Sequence, residues 1–126
     1  MKHEGLTSTI ISLWMKVHSA LGPGLLESIY ESAVCIELNR NHIPFLRQEG
    51  IRTIYEGEDL GIGFRADIIV DQTVLLEIKS VERVAPVHAK TTISYLKFSG
   101  MEVGLLINFN VPHLKEGITR LVLDRK

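Results

Sequence analysis

The chain reads as a mixed α/β domain, helices packed on a central mixed sheet, in the order ααβββαββ. Three observations predict this. Before Asn41, apolar residues recur at steps of three and four, the period of a helix. From Leu46 the composition turns to β-branched and aromatic residues separated by turn formers. A further helical stretch then leads into the apolar run 103–109, as expected for a strand covered on both faces.

The elements follow in order. Leu6, Ile10, Leu13, Trp14, Val17 and Leu21 share one face of a helix over 7–21, with Thr7 or Ser8 as its N-cap. Gly22-Pro23 stops it, because glycine takes the left-handed cap and proline cannot continue the helix. A second helix starts near Gly24 and runs to about Arg40, where Asn41-His42-Ile43-Pro44 breaks it. Residues 51–55 form a strand and 56–59 a turn. Two more strands, 63–70 and 73–81, join at Asp71-Gln72. Pro86 suits the first turn of a third helix ending at Gly100, and 118–123 is a last, weaker strand.

At 126 residues the chain has the size of one domain, 1–126, with one core. Its composition, 45% hydrophobic and 23% charged, is that of a globular protein. The apolar runs are too short to cross a bilayer, and Met1-Lys2-His3-Glu4-Gly5 lacks the pattern of a signal peptide. Cys35 is the sole cysteine, so no internal disulfide forms; a buried thiol and a cytoplasmic location are expected. A net charge of −1 argues against a protein that coats nucleic acid, since phosphate neutralisation by Lys and Arg dominates such binding. It does not exclude an enzyme acting at one phosphodiester.

The strongest local anomaly is Leu75-Leu76-Glu77-Ile78-Lys79. In a strand, Glu77 and Lys79 point one way and Leu76 and Ile78 the other. Asp67 interrupts the preceding strand. If the two strands form a hairpin, Asp67 and Glu77 face each other, and such a pair calls for a shared proton, a cation or a metal ion. On spacing alone the trio better suits a solvated sheet face with a surface ion pair, since charged residues usually sit on exposed faces. Glu27, early in the second helix, complements the helix dipole whatever else it does. In the third helix, His88, Thr91, Tyr95 and Ser99 form a polar stripe, with Ala89, Ile93 and Leu96 on the apolar face. Lys90 and Lys97 flank the stripe, as phosphate contacts or simply as solvated lysines. His88 alone is more commonly a surface or capping residue. No zinc signature, Ser-His-Asp order or phosphate-binding glycine loop is present.

The segment Gly24-Leu25-Leu26-Glu27-Ser28-Ile29-Tyr30 matches the signature of the GxxExxY protein family, a group within the PD-(D/E)XK nuclease superfamily. The resemblance continues through Gln48, Arg65-Ala66-Asp67, Glu77-Ile78-Lys79-Ser80-Val81-Glu82, His88, Tyr95-Leu96-Lys97 and Gly104–Phe109, in order. It implies a restriction-endonuclease-like core and a nuclease acting on DNA or RNA. It further implies that Asp67, Glu77 and the Ile78 carbonyl hold Mg²⁺ or Mn²⁺, with Glu27 reaching the ion directly or through water. Lys79 would orient the attacking water. Tyr95, with His88 and Thr91, would contact substrate. Related sequences often carry glutamine four residues before the tyrosine, where this chain has Thr91.

Two functions follow. One is a Mg²⁺-dependent nuclease, as a possible homodimer because so small a chain offers little groove by itself. The other is a catalytically silent nuclease-fold module binding protein or nucleic acid, which Thr91 and the charge balance favour. Hydrolysis of a small phosphate ester is a third option, requiring an enclosed pocket.

Overall fold

The computed structural model describes residues 3–124. Its elements are α1 (Glu4–Leu21), α2 (Glu27–Arg40), β1 (Phe45–Tyr55), β2 (Glu58–Val70), β3 (Val74–Lys79), α3 (Pro86–Ser99), β4 (Val103–Asn108), a 3-10 turn (Leu114–Gly117) and β5 (Ile118–Val122). Met1 and Lys2, part of the stretch read for a signal peptide, lie outside the described residues. The five strands form one sheet in chain order, antiparallel except for the β3–β4 pair, whose crossover contains α3. Among the described residues no helix is long and apolar enough to cross a membrane.

Several expected boundaries move. Helix α1 begins ahead of both proposed caps: Thr7 is buried within its first turns, where its Oγ1 donates to the Glu4 carbonyl at 3.0 Å. Helix α2 begins at Glu27 rather than near Gly24, because Leu26 is extended and Gly24 has φ 96°. The β1–β2 turn is only Glu56-Gly57, both left-handed; Tyr55 already pairs with Glu58. At the other end of β2, Val70 pairs with Val74, so the turn takes in Thr73 as well as Asp71-Gln72. Ser80, Val81 and Phe109 lie beyond their strands.

The sheet is covered on both faces. Against one face α1 and α2 pack Ile10, Trp14, Val17, Tyr30, Val34 and Leu38, meeting Val74, Leu76 and Ile78 of β3 and Leu105 and Ile107 of β4. Phe109 closes this cluster: Tyr30 stacks on it at 4.4 Å and 4°, and Trp14 meets it edge-on at 6.3 Å. Cys35 is buried beside them, and burial pushes its thiol up. Against the opposite face α3 packs Leu96 onto Ala66, Ile69 and Leu75. Glu77 and Lys79 alternate with Leu76 and Ile78 and so share the α3 side with Leu75. The strand alternation thus turns two charged residues into a partly enclosed space rather than toward bulk water.

Candidate metal centre

The β2–β3 ladder runs Val70↔Val74, Ile69↔Leu75, Ile68↔Leu76, so the next positions are Asp67 and Glu77. There the backbones stop pairing with each other and side chains take over. Asp67 Oδ2 accepts the Ile78 N–H at 2.8 Å, and Glu77 Oε1 accepts the Asp67 N–H at 3.3 Å. Each carboxylate thus stands in for a strand carbonyl. Both are anchored by main-chain donors that cannot move without opening the sheet.

Burial sets the electrostatics. Glu77 is 6% exposed, which excludes the solvated-face reading of this strand. Its carboxyl is pushed up to about 8, first by burial and then by the charge of Asp67; the Asp67 N–H and Lys79 pull the other way. Asp67 is also raised, again chiefly by burial, against the stabilising Ile78 N–H. The two anions are therefore costly as they stand, and a cation between them would relieve both.

Glu27 arrives from the other side of the sheet, and the geometry explains the spacing of its motif. Tyr30, fully buried, accepts the Leu25 N–H at 3.1 Å and donates to the Gly22 carbonyl at 2.5 Å. Those bonds hold the loop extended across the helix start, a path that needs the positive φ of Gly24. Glu27 is then the first residue of α2, one turn before Tyr30 on the same side. Its Oε2 accepts the Ser80 N–H at 3.1 Å, just past the end of β3. Two hollows meet at Glu27 and Ser28. One, about 520 Å³, is lined by Leu25, Leu26, Ser80 and Asn110; the other, about 590 Å³, by Glu31, Arg47, Gln48 and Asp67.

The remaining predicted residues are placed unequally. Lys79 ends β3, half-buried, and its charge lowers the carboxyls of both Asp67 and Glu77. Tyr95 stacks on Phe64 at 3.8 Å and 3°. Burial, then the charges of Glu77 and Asp67, raise its phenol, so it lies within their field. His88 turns its Nδ1 back to accept the Ala85 N–H at 3.1 Å, the capping role that sequence reading also allowed. Thr91 is half-buried one turn before Tyr95. Among the described residues no hydrogen bond joins His88 or Thr91 to the carboxylates.

Three participants were missed in the sequence. Glu31 is buried one turn after Glu27, paired with Arg47 at 2.5 Å and with the Gln48 amide at 2.7 Å. Its signal was the i, i+4 spacing from Glu27. Gln48, noted only as part of a motif, also reaches Asp67 Oδ1 at 3.3 Å. It holds φ 53°, a left-handed conformation inside a strand and a strained one for a side-chain-bearing residue. Asn108, a buried amide closing an otherwise apolar strand, is the third.

The donor set fits a hard divalent cation, since it offers carboxylate oxygens with several positions left for water or phosphate. Among the described residues no three His, Cys, Asp or Glu side chains converge as a ready-made metal cage. The candidate centre thus offers two carboxylates, Asp67 and Glu77, with Glu27 held nearby. A family model described as the PD-(D/E)XK nuclease superfamily matches residues 4–121. No curated protein and no solved structure matches the chain significantly.

Proposed function

The chain belongs to the PD-(D/E)XK nuclease superfamily, and from that premise we propose that it is a metal-dependent phosphodiesterase hydrolysing DNA or RNA. Members of the superfamily generally use divalent metal ions. The observation that carries the proposal is the Asp67–Glu77 pair at the end of β3, with Glu77 buried and Asp67 half-buried, beside Lys79. We place the protein with the GxxExxY group, on the Gly24, Glu27 and Tyr30 geometry. We read residues 1–126 as one nuclease domain, cytoplasmic and paired as a homodimer.

Asp67 and Glu77 would hold Mg²⁺ or Mn²⁺, with the Ile78 carbonyl and with Glu27 directly or through water. The ion, when bound, supplies Lewis acidity and an acidified water. Lys79 would supply a cation and three donors to orient the attacking water and to offset negative charge on the phosphate oxygens. Gln48 steadies Asp67 from the far side, against Glu31. Tyr95, braced by Phe64, presents its phenol toward the same space, and we assign it with His88 and Thr91 to substrate contact.

The test is cleavage of single- and double-stranded DNA and RNA by purified protein in Mg²⁺ or Mn²⁺, beside Glu77→Ala. Metal-dependent cleavage lost in the variant is expected; cleavage that persists would mean the centre is elsewhere. One observation favours the silent binding module instead: Arg47, the one base lining either hollow, is already paired with Glu31. Calorimetry decides between them ahead of any substrate choice. Saturable Mn²⁺ binding abolished by Asp67→Asn supports the enzyme, and absence of binding supports the module.

A further inference from the structure

Asn108 is buried, 3% exposed, at the last position of β4, where its strand partner is Lys79. Beyond that pair the β3 chain leaves the sheet, yet it does not become loose. The Asn108 Oδ1 accepts the Val81 N–H at 3.0 Å and its Nδ2 donates to the Val81 carbonyl at 2.9 Å. The donor and acceptor of one amide thus meet the acceptor and donor of one residue, which also settles the amide's orientation. Oδ1 accepts the Asn110 N–H as well, at 3.2 Å. The Asn108 backbone is itself fixed: the Phe109 N–H bonds to the Lys79 carbonyl at 2.9 Å, and Gly117 lies so close that a Cβ there would sit 2.2 Å from the Asn108 oxygen.

The residue between Lys79 and Val81 is Ser80, whose N–H is the donor to Glu27 and whose Oγ donates to the Leu25 carbonyl. We propose that Asn108 is a positioning residue: by clamping Val81 it holds the Ser80 N–H on Glu27 and so places that carboxylate for the metal centre. A strand carbonyl and N–H at this position would have continued β4 alongside; a side-chain amide does the same work while letting the chain turn toward α2. This rests on the reading of Glu27 as part of the centre. Partners that orient ligands in this way are typically worth about 10-fold or more in metal affinity.

Two readouts test it on the full-length protein, with Asn108→Ala as the main variant and Asn108→Asp should alanine not fold. The first is exchange of the Ser80 amide proton by NMR, which needs no metal. Slow exchange in wild type and faster exchange in the Asn108 and Glu27→Ala variants is expected, since alanine, unlike glutamine, leaves no side-chain acceptor for this N–H. Unchanged exchange in a folded Asn108 variant would overturn the positioning role. The second is Mn²⁺ affinity, weakened about 10-fold by Asn108→Ala. The Asn108→Ala, Glu27→Gln double variant should bind no more weakly than Glu27→Gln, because both act through one carboxylate. Multiplied losses in the double variant would make Asn108 merely structural. A wild-type protein with no saturable Mn²⁺ site would sink the reading of the centre itself, whatever Ser80 does.

Discussion

The main-chain N–H of Asp67 donates to the side chain of Glu77, while the Asp67 carboxylate accepts the N–H of the residue after Glu77. The two acids are therefore built into the sheet at the point where its ladder fails, and neither can withdraw from the other. This fixes a repulsion that the fold must bear whenever both are ionised.

The burial of Glu77, with that repulsion added, should be visible as a pH-dependent stability. Glu77 has an ordinary value of 4.5 and is raised to about 8 in the fold, so its neutral form supports the native state fully below 4.5. The contribution is lost as pH rises toward 8, when the buried group ionises; Asp67, also raised, acts with the same sign. Without metal, wild type should lose on the order of a few kcal/mol between pH 5 and pH 8.5, and Glu77→Gln should lose less, retaining only the Asp67 contribution. Thermal melts in chelator across that range measure it. A variant that tracks wild type at every pH would remove Glu77 as the source. Added Mn²⁺ should restore the lost Tm in wild type alone.

Tyr30 separates packing from presentation. Tyr30→Phe keeps the ring stacked on Phe109 but deletes the hydroxyl that ties Gly22 to Leu25. The freed groups lie in an exposed loop, so the cost should be near 1 kcal/mol. Mn²⁺ affinity should fall by more than that implies, because Glu27 starts its helix from this loop. Equilibrium unfolding beside calorimetry separates the two effects, and parallel losses would reduce Tyr30 to a core residue.

Gly24→Ala gives a purer backbone test. A Cβ at Gly24 meets nothing within 4 Å, so no clash enters. Its φ of 96° remains unfavourable for alanine, and a loss of about 1–2 kcal/mol is expected from unfolding curves. A neutral substitution would show that the loop relaxes and that the motif's glycine is dispensable for the fold.

These cases show why some of the molecule was legible in its sequence. The apolar alternation around Glu77 named its strand and face because side-chain period 2 is a property of every strand. Asp67 faces Glu77 because the turn takes in Thr73 and sets Val70 against Val74; a turn of Asp71-Gln72 alone would have set Asp67 against Leu76. Burial of Glu77 was not legible, since alternation alone does not say what covers a face, and α3 is brought over it by a crossover. Nor could the start of α2 be placed: a tyrosine hydroxyl, not a local propensity, holds residues before Glu27 extended. Gln48 and Asn108 act through side-chain amides on backbone and acids far along the chain, and such bonds leave no period to read.

Lys79 offers the sharpest separation of binding from chemistry. Its charge opposes a metal ion at the neighbouring carboxylates, yet it also lowers their carboxyl pKa and so keeps them available. Lys79→Met retains much of the apolar stem and removes the cation. At pH 8.5 the two effects oppose each other, and Mn²⁺ affinity should change little. Cleavage should fall by roughly 10²–10⁴, the range for loss of a group acting on the reacting water or the developing charge. Calorimetry and single-turnover cleavage on the same preparation give both numbers. Loss of metal binding with the lysine would instead make it a scaffold for the carboxylates, and full cleavage without it would pass the orienting role to Tyr95.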